Sequence, residues 1–162
     1  MELRDLYDEN RVLTGETIQK GEDVPAGRYY VTVAVFIEND HNKCLLQINK
    51  KYDMWTTTGG HPKSGESSLD GIVIEIEEEL GYKVSPDKLE LVKTYKTEDD
   101  FVDLYYLKEN IDLSELSLQD EEVGNIGWFS REEISDLINN NKFLPPHIEF
   151  YDDCINYLDS KN

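Results

Sequence analysis

Residues 59–82 read Gly-Gly-His-Pro-Lys-Ser-Gly-Glu-Ser-Ser-Leu-Asp-Gly-Ile-Val-Ile-Glu-Ile-Glu-Glu-Glu-Leu-Gly-Tyr. A glycine-rich turn leads into alternating apolar and acidic residues that stop at a second glycine. On a helix of about 100° per residue, Leu69, Ile72, Val73, Ile76 and Leu80 fall on one face. Glu75, Glu78 and Glu79 then share an arc on the other side. Carboxylates at that spacing destabilise an isolated helix by a few tenths of a kcal/mol per pair. No lysine or arginine lies between Lys63 and Lys83 to offset them. A bound divalent cation would, since clustered carboxylate oxygens are hard ligands suited to Mg²⁺ or Mn²⁺. A charged run on an amphipathic helix is ordinarily a solvated face. The turn argues otherwise, because Gly59, Gly60 and Gly65 are useful where backbone passes close to a ligand.

The rest of the chain places limits on what that stretch can serve. With 162 residues, 38% of them hydrophobic and 10% aromatic, it suits one folded domain with a proper core, spanning 1–162. A net charge of −19 argues against an electrostatic grip on nucleic acid or an anionic membrane. It leaves a phosphorylated small molecule open, because a metal ion supplies positive charge locally. No apolar run approaches the roughly 18 residues of a membrane span, and Met1 opens onto charged residues, unlike a signal peptide. Cys44 and Cys154 cannot form a disulfide framework and suit buried positions in a reducing compartment, so a cytoplasmic location is expected.

Residues 1–27 are expected to form an N-terminal β-hairpin, turning at Asp8-Glu9-Asn10, and then a loop. Tyr29–Ile37 is β-branched and aromatic, a central strand, and Lys43–Ile48 should return beside it as a hairpin. Trp55–Thr58 enters the glycine turn. Ser67 with Asp70 forms a capping-box pattern, and Gly81 fits the C′ position of the helix. Leu89–Thr97 and Phe101–Lys108 are strands, as is Asn125–Phe129. Ser130 caps a helix over Arg131–Asn139, and Pro145-Pro146 opens the last one. Strands interleaved with helices describe a mixed-sheet α/β/α sandwich.

The central stretch resembles the signature of the Nudix hydrolases: glycine, five residues, glutamate, seven residues, then Arg-Glu-apolar-any-Glu-Glu-any-Gly-apolar. Gly60, Glu66, Glu75, Ile76, Glu78, Glu79, Gly81 and Tyr82 occupy those positions, and Ile74 replaces the arginine. The resemblance implies a Nudix-type α/β/α sandwich with a central mixed sheet. It implies a metal-dependent hydrolase of a nucleoside diphosphate derivative or other organic diphosphate. Glu75, Glu78 and Glu79 would be catalytic ligands of Mg²⁺ or Mn²⁺, with Glu66 close to the same cluster. Gly71, on the arc of Glu75 and Glu78, would leave room for metal and phosphate. Glu121 or Glu122 could supply an additional acid from a loop. Gly59, Gly60, His61, Lys50 and Lys51 are the candidate substrate-binding residues. Lys63 and Arg28 could meet a substrate, and Tyr52 or Trp55 could stack on a nucleobase.

Ile74 lies four residues before Glu78, where an arginine would form a helical ion pair. Glu78 must then find another base or a metal, and a noncatalytic Nudix-like ligand-binding domain is the alternative. The N-terminal residues, Pro25-Ala26-Gly27 and Trp55 to Pro62 also look like the isopentenyl-diphosphate isomerase-like branch. In true isomerases of that group a catalytic cysteine precedes Gly-His-Pro. Here Gly59 stands in that place, and His41 and His147 lie outside the region of the isomerase's further metal ligands. The isomerase is disfavoured. Substrate identity and oligomeric state, including a homodimer, are left open by the sequence.

Overall fold

Nine residues, Tyr30–Glu38, form the strand around which the sheet is assembled, and their burial is nearly continuous. The computed structural model describes residues 2–119 and 121–161. Within this strand, β3, side chains alternate between two cores. Val31, Val33, Val35 and Ile37 join one cluster, while Ala34 and Phe36 join the other. A strand buried on both faces has no polar alternation to show, which is why its sequence is apolar throughout.

The other elements take their places on either side. A separate two-stranded hairpin, β1 (Leu3–Tyr7) and β2 (Leu13–Gln19), precedes the sheet. The sheet continues with β4 (Cys44–Asn49), β5 (Met54–Thr56), β6 (Thr58–Gly60), β7 (Leu89–Lys96), β8 (Asp100–Lys108) and β9 (Val123–Phe129). β3 runs parallel to β8, and the remaining sheet pairings are antiparallel. The sheet is therefore mixed, as the interleaved pattern predicts.

Helix α1 (Ser68–Leu80) covers one face: Ile72, Ile76 and Leu80 are fully buried against the Val31 to Ile37 side, and Leu69 and Val73 flank them. Helices α2 (Arg131–Asn139) and α3 (Ile148–Ser160) cover the other, around Ile134, Tyr151 and Cys154. The expected capping box of Ser67 with Asp70 forms, and the expected Ser130 cap is a capping box as well, closed by Glu133. Gly81 ends α1 in the left-handed region at φ 69°. Cys44 and Cys154 are free and buried in the same cluster. No helix among the described residues is long and apolar enough to cross a membrane.

One strand pairing departs from the sequence expectation. β3 and β4 meet only where the chain turns, at Glu38 opposite Cys44. Beyond that point they diverge, and β6 pairs with β3 through Val33–Gly60, Ala34–Gly59 and Val35–Thr58. The expected strand Trp55–Thr58 is in fact two, with β5 pairing on β4 and β6 on β3. A local alternation of residues cannot reveal this, because the insertion depends on how closely two backbones can approach. At Gly59 an added Cβ would lie 2.6 Å from the Val33 carbonyl oxygen.

The N-terminal hairpin is fastened firmly. Tyr7 and Tyr29 exchange backbone hydrogen bonds of 2.8 and 2.9 Å. Arg11 donates to both oxygens of Asp103 on β8, at 2.8 and 2.6 Å. Burial acts to raise the Asp103 carboxyl, but the hydrogen bonds from Arg11, Ser68 and Thr94 outweigh it and hold the group below its ordinary value.

Candidate active site

β6, the loop that follows it and α1 together place the signature residues along one wall of a cleft of about 700 Å³. Glu75, Glu78, Glu79, Glu121, Glu122, Gly59, Gly60, His61 and Lys51 all line it. The acids that the sequence set on one helical arc differ sharply in environment. Glu78 is exposed, Glu75 is half-buried and Glu79 is only 4% exposed.

Glu79 is reached from behind by a polar chain. Thr58 Oγ1 donates to Gln47 Oε1 at 3.0 Å, and Gln47 Nε2 donates to Glu79 Oε1 at 2.9 Å. The other oxygen, Oε2, is buried and meets no donor group among the described residues, since its neighbour Glu75 is a carboxyl like itself. Burial drives the Glu79 carboxyl well above its usual range, and the charges of Glu75 and Glu122 add to that while Gln47 opposes it. Glu75 is raised for the same first reason, burial, followed by the charge of Glu78. A buried unpaired acceptor costs about 1–3 kcal/mol. Two adjacent carboxyls pushed toward their neutral forms are what a cation would relieve.

Gly60 explains how Glu75 fits. A Cβ built at position 60 would lie 2.3 Å from the Glu75 carboxyl carbon, so the glycine hydrogen leaves space that this carboxylate fills. Gly71 has a different task from the one expected. An added Cβ there meets Pro62 at 2.6 Å, so the missing side chain admits the Gly60–Ser67 loop against the helix rather than a metal or phosphate.

The remaining expected residues divide by place. Glu66 lies outside the cleft, in a smaller pocket with Asp5, Tyr7 and Lys63, and its Oε1 accepts from Lys63 N at 2.7 Å. It closes the loop and does not stand with the helical acids. Glu122 acts electrostatically on both Glu75 and Glu79, which favours it over Glu121 as an additional acid. Lys51 lies over the Tyr52 ring at the cleft edge, whereas Lys50 is not among the lining residues. Arg28 pairs with Glu16 in the hairpin. Trp55 packs against Phe129, ring centres 4.6 Å apart, beside the second core. Among the described residues no three His, Cys, Asp or Glu side chains converge as a ready-made cation cage. Glu75 and Glu79 form the tight pair, and Lys63 Nζ holds Glu78 at 3.2 Å.

Several residues in and beside the cleft were not singled out from the sequence. Gln47 had a detectable signal, a polar side chain within the apolar run Cys44-Leu45-Leu46-Gln47-Ile48. Asp5 had none: its two oxygens accept from Ser64 Oγ at 2.6 Å and Gly65 N at 2.9 Å, tying the hairpin to the signature loop. His147 hydrogen-bonds Thr56 through Nδ1 and stacks on Phe150 at 5.2 Å, and both rings line the cleft. Burial lowers His147 to about 4. His61 is also lowered to about 4, by burial and then by the charge of Arg4.

A mixed sheet between helices, with carboxylates from one helix and a glycine turn packed together in one cleft, defines an α/β/α sandwich. The NUDIX domain model matches residues 28–154. An uncharacterized Nudix hydrolase of Listeria monocytogenes is 31% identical over 151 residues, covering 90% of this chain and 89% of that protein. The chain belongs to the Nudix family and is a Nudix-type pyrophosphohydrolase. Its fold is similar to the Deinococcus radiodurans protein DR0079, with a TM-score of 0.70 and 18% identity over 88% of this chain and 91% of that one. It is similar also to the NUDIX domain of Shewanella oneidensis NrtR, solved with ADP ribose, with a TM-score of 0.62 and 16% identity over 87% and 93% of the two chains.

Proposed function

We propose that the protein uses Mg²⁺ or Mn²⁺ to hydrolyse the diphosphate linkage of a nucleoside diphosphate derivative or a related organic diphosphate. The observation that carries this is the buried, unpartnered Oε2 of Glu79 beside the raised carboxyl of Glu75, opening on the cleft. Glu75 and Glu79 would hold the cation, with Glu78, positioned by Lys63, completing the set. When bound, the ion neutralises the diphosphate oxygens and makes water a stronger nucleophile.

The chain's own groups do the positioning. Gln47, anchored by Thr58, fixes the rotamer of Glu79. Gly60 lets Glu75 approach the β6 backbone. Asp5 and Glu66 hold the intervening loop from opposite ends. The stacked rings of His147 and Phe150 in the cleft offer a flat surface of the kind that receives a nucleobase. Water attacks phosphorus, the bridging P–O bond breaks, and a phosphate product leaves.

The isomerase gains no support from this geometry. A cysteine at position 59 would drive its Cβ into the β3 backbone at 2.6 Å, so the β6–β3 pairing itself selects glycine. Ile74 likewise gives little support to a noncatalytic domain, since Lys63 supplies Glu78 with a cation from the loop.

A phosphate-release assay over a panel of diphosphates, with and without each metal, tests the function. Turnover that needs metal and fails in Glu79→Gln is expected. If a Mn²⁺ titration shows no affinity at millimolar concentration, the metal-site assignment fails.

A further inference from the structure

The N-terminal hairpin lies outside the segment matched by the family model, which begins at residue 28, yet it supplies a charged wall of the cleft. Arg4 is on β1, two residues before Leu6, and therefore shares its inward face. Leu6 is 1% exposed, and the Arg4 side chain is 12% exposed. An arginine at an inward strand position needs partners for five donor hydrogens. Here its guanidinium lies 5.6 Å from the centre of the Tyr30 ring. One terminal nitrogen is 3.6 Å from Glu2 Oε2, too long for a strong hydrogen bond. Its Nε is buried with no partner among the described residues. Hairpin stability does not account for a desolvated and under-partnered cation.

The neighbouring groups leave that cation open to an incoming anion. Asp100 accepts from Thr32 Oγ1 at 2.7 Å and from Thr97, so its carboxylate is engaged within the sheet. His61 lies against Tyr30, 5.2 Å between ring centres, and contacts Thr32 through Nδ1. Lys20 lines the same end of the cleft and adds a second positive charge. Glu2, Arg4 and Lys20 line the same cleft as Glu75 and Glu79, so this end of the hairpin and the acidic helix face one space.

Position along the chain links the two groups. Gly60 stands against Glu75, and the next residue, His61, shares the cleft with Arg4, the Tyr30 ring lying 5.2 Å from His61 and 5.6 Å from the Arg4 guanidinium. Arg4 and the acid pair therefore line one cleft.

We propose that Arg4, assisted by Lys20, binds the free terminal phosphate of the substrate, so that the protein selects nucleoside diphosphates whose outer phosphate is uncapped. An uncapped phosphate offers open oxygens to the planar guanidinium fork and carries more charge than a phosphate esterified on both sides. It would draw Arg4 away from its loose contact with Glu2. This rests on the diphosphate-hydrolase function proposed above. Cleavage then joins a water oxygen to the outer phosphorus and breaks the bridging P–O bond. Inorganic phosphate and a nucleoside monophosphate result, and the water proton passes to solvent.

ADP and ADP-ribose form the discriminating pair, since they differ by the ribose that caps the outer phosphate. KM and kcat for both are measured with Mg²⁺ on wild type, Arg4→Gln, Arg4→Lys and Lys20→Gln, together with calorimetric binding of uncleavable α,β-methylene-ADP. Arg4→Gln is expected to raise KM for ADP and Kd for the analogue about 10-fold, while KM for ADP-ribose stays within about twofold. Arg4→Lys should recover part of the loss, because charge is kept and the fork is not. If Arg4→Gln lowers the melting temperature, the exposed Lys20→Gln carries the test, with an expected two- to fivefold rise confined to ADP and its analogue. Equal effects on ADP and ADP-ribose, or unchanged binding of the analogue, overturn the proposal. Wild-type protein that cleaves a capped diphosphate with metal but does not bind the analogue overturns the Arg4 assignment alone. Wild-type protein that neither binds nor cleaves any diphosphate overturns the hydrolase function and this proposal together.

Discussion

Lys63 Nζ lies 3.2 Å from Glu78 Oε1, so the base that α1 lacks at Ile74 comes from the loop in front of the helix. Both side chains are close to half exposed. A pair of that kind contributes at most about 1 kcal/mol to stability. Its value lies in aiming Glu78 into the cleft. Lys63→Met should therefore leave the melting temperature almost unchanged while lowering kcat about fivefold, the equivalent of about 1 kcal/mol. Adding Ile74→Arg to that variant should restore most of the loss, since an arginine there reaches Glu78 across one helical turn. Steady-state kinetics on both variants decide this. No loss in Lys63→Met, or no rescue, would show that the contact does not position Glu78.

Glu79→Gln should abolish activity without harming the metal-free fold. The glutamine can still accept from Gln47 at the oxygen corresponding to Oε1, and it removes a carboxyl whose ionised form burial opposes. At pH 8 without metal the variant should melt at or above the wild-type temperature. Turnover should fall about 100-fold or more, the scale of losing one preorganised electrostatic group. Mn²⁺ should no longer raise the melting temperature. A strongly destabilised variant would instead mean that the ionised carboxylate is already satisfied in the metal-free protein.

The pH dependence of the metal-free protein follows from two opposing pairs. Glu75 and Glu79 are raised above the ordinary value of 4.5, so the folded state retains protons that the unfolded state has released. Their contribution to stability falls as pH rises above that value. His61 and His147 are lowered from 6.5 to about 4, so the unfolded state binds protons that the folded state does not. Their contribution rises with pH across that interval. The two pairs oppose each other below 6.5, and above it only the carboxyls remain. Melting temperature should change little between pH 5 and 6.5 and then fall toward pH 8. Added Mg²⁺ or Mn²⁺ should recover more at pH 8 than at pH 5.5. A metal-free melting temperature that rises between pH 6.5 and 8 would contradict the directions assigned to Glu75 and Glu79.

Much of this was legible in the residues because it is local. The apolar run of β3, the spacing of Ile72, Ile76 and Leu80, and the two capping boxes are each settled within a few positions. The acids of α1 were legible as a set, but their different environments were not. Glu79 is buried because Gln47, 32 residues earlier, comes up beneath it from β4. Periodicity also cannot show that β6 separates β3 from β4, since that depends on the missing side chain at Gly59 meeting Val33. Gly71 carried a signal that was open to two meanings, and contact with Pro62 decides between them. Arg4 and Asp5 read as ordinary polar residues of a hairpin until that hairpin is placed against the cleft.

Gly60, which opens the signature, and Gly59 before it should fail in different ways when replaced. At Gly60 an added Cβ meets the Glu75 carboxylate, with its carbon 2.3 Å away and both oxygens 2.6 Å away. That carboxylate is the end of a flexible side chain and can swing aside. Gly60→Ala should therefore fold with a melting temperature within a few degrees of wild type but lose Mn²⁺ affinity and most activity, because Glu75 no longer stands beside Glu79. At Gly59 the obstacle is backbone, the Val33 carbonyl oxygen at 2.6 Å and the Ala34 Cα at 3.3 Å. Relief there requires β6 to move off β3, and overpacking of this kind costs about 1–3 kcal/mol. Gly59→Ala should lower the melting temperature clearly, by about 3–10 °C for a domain of this size. Thermal melts and Mn²⁺ titrations on the two variants separate the cases. The same loss of stability in both would show that Glu75 is locked in place and that Gly60 serves the fold as much as the site.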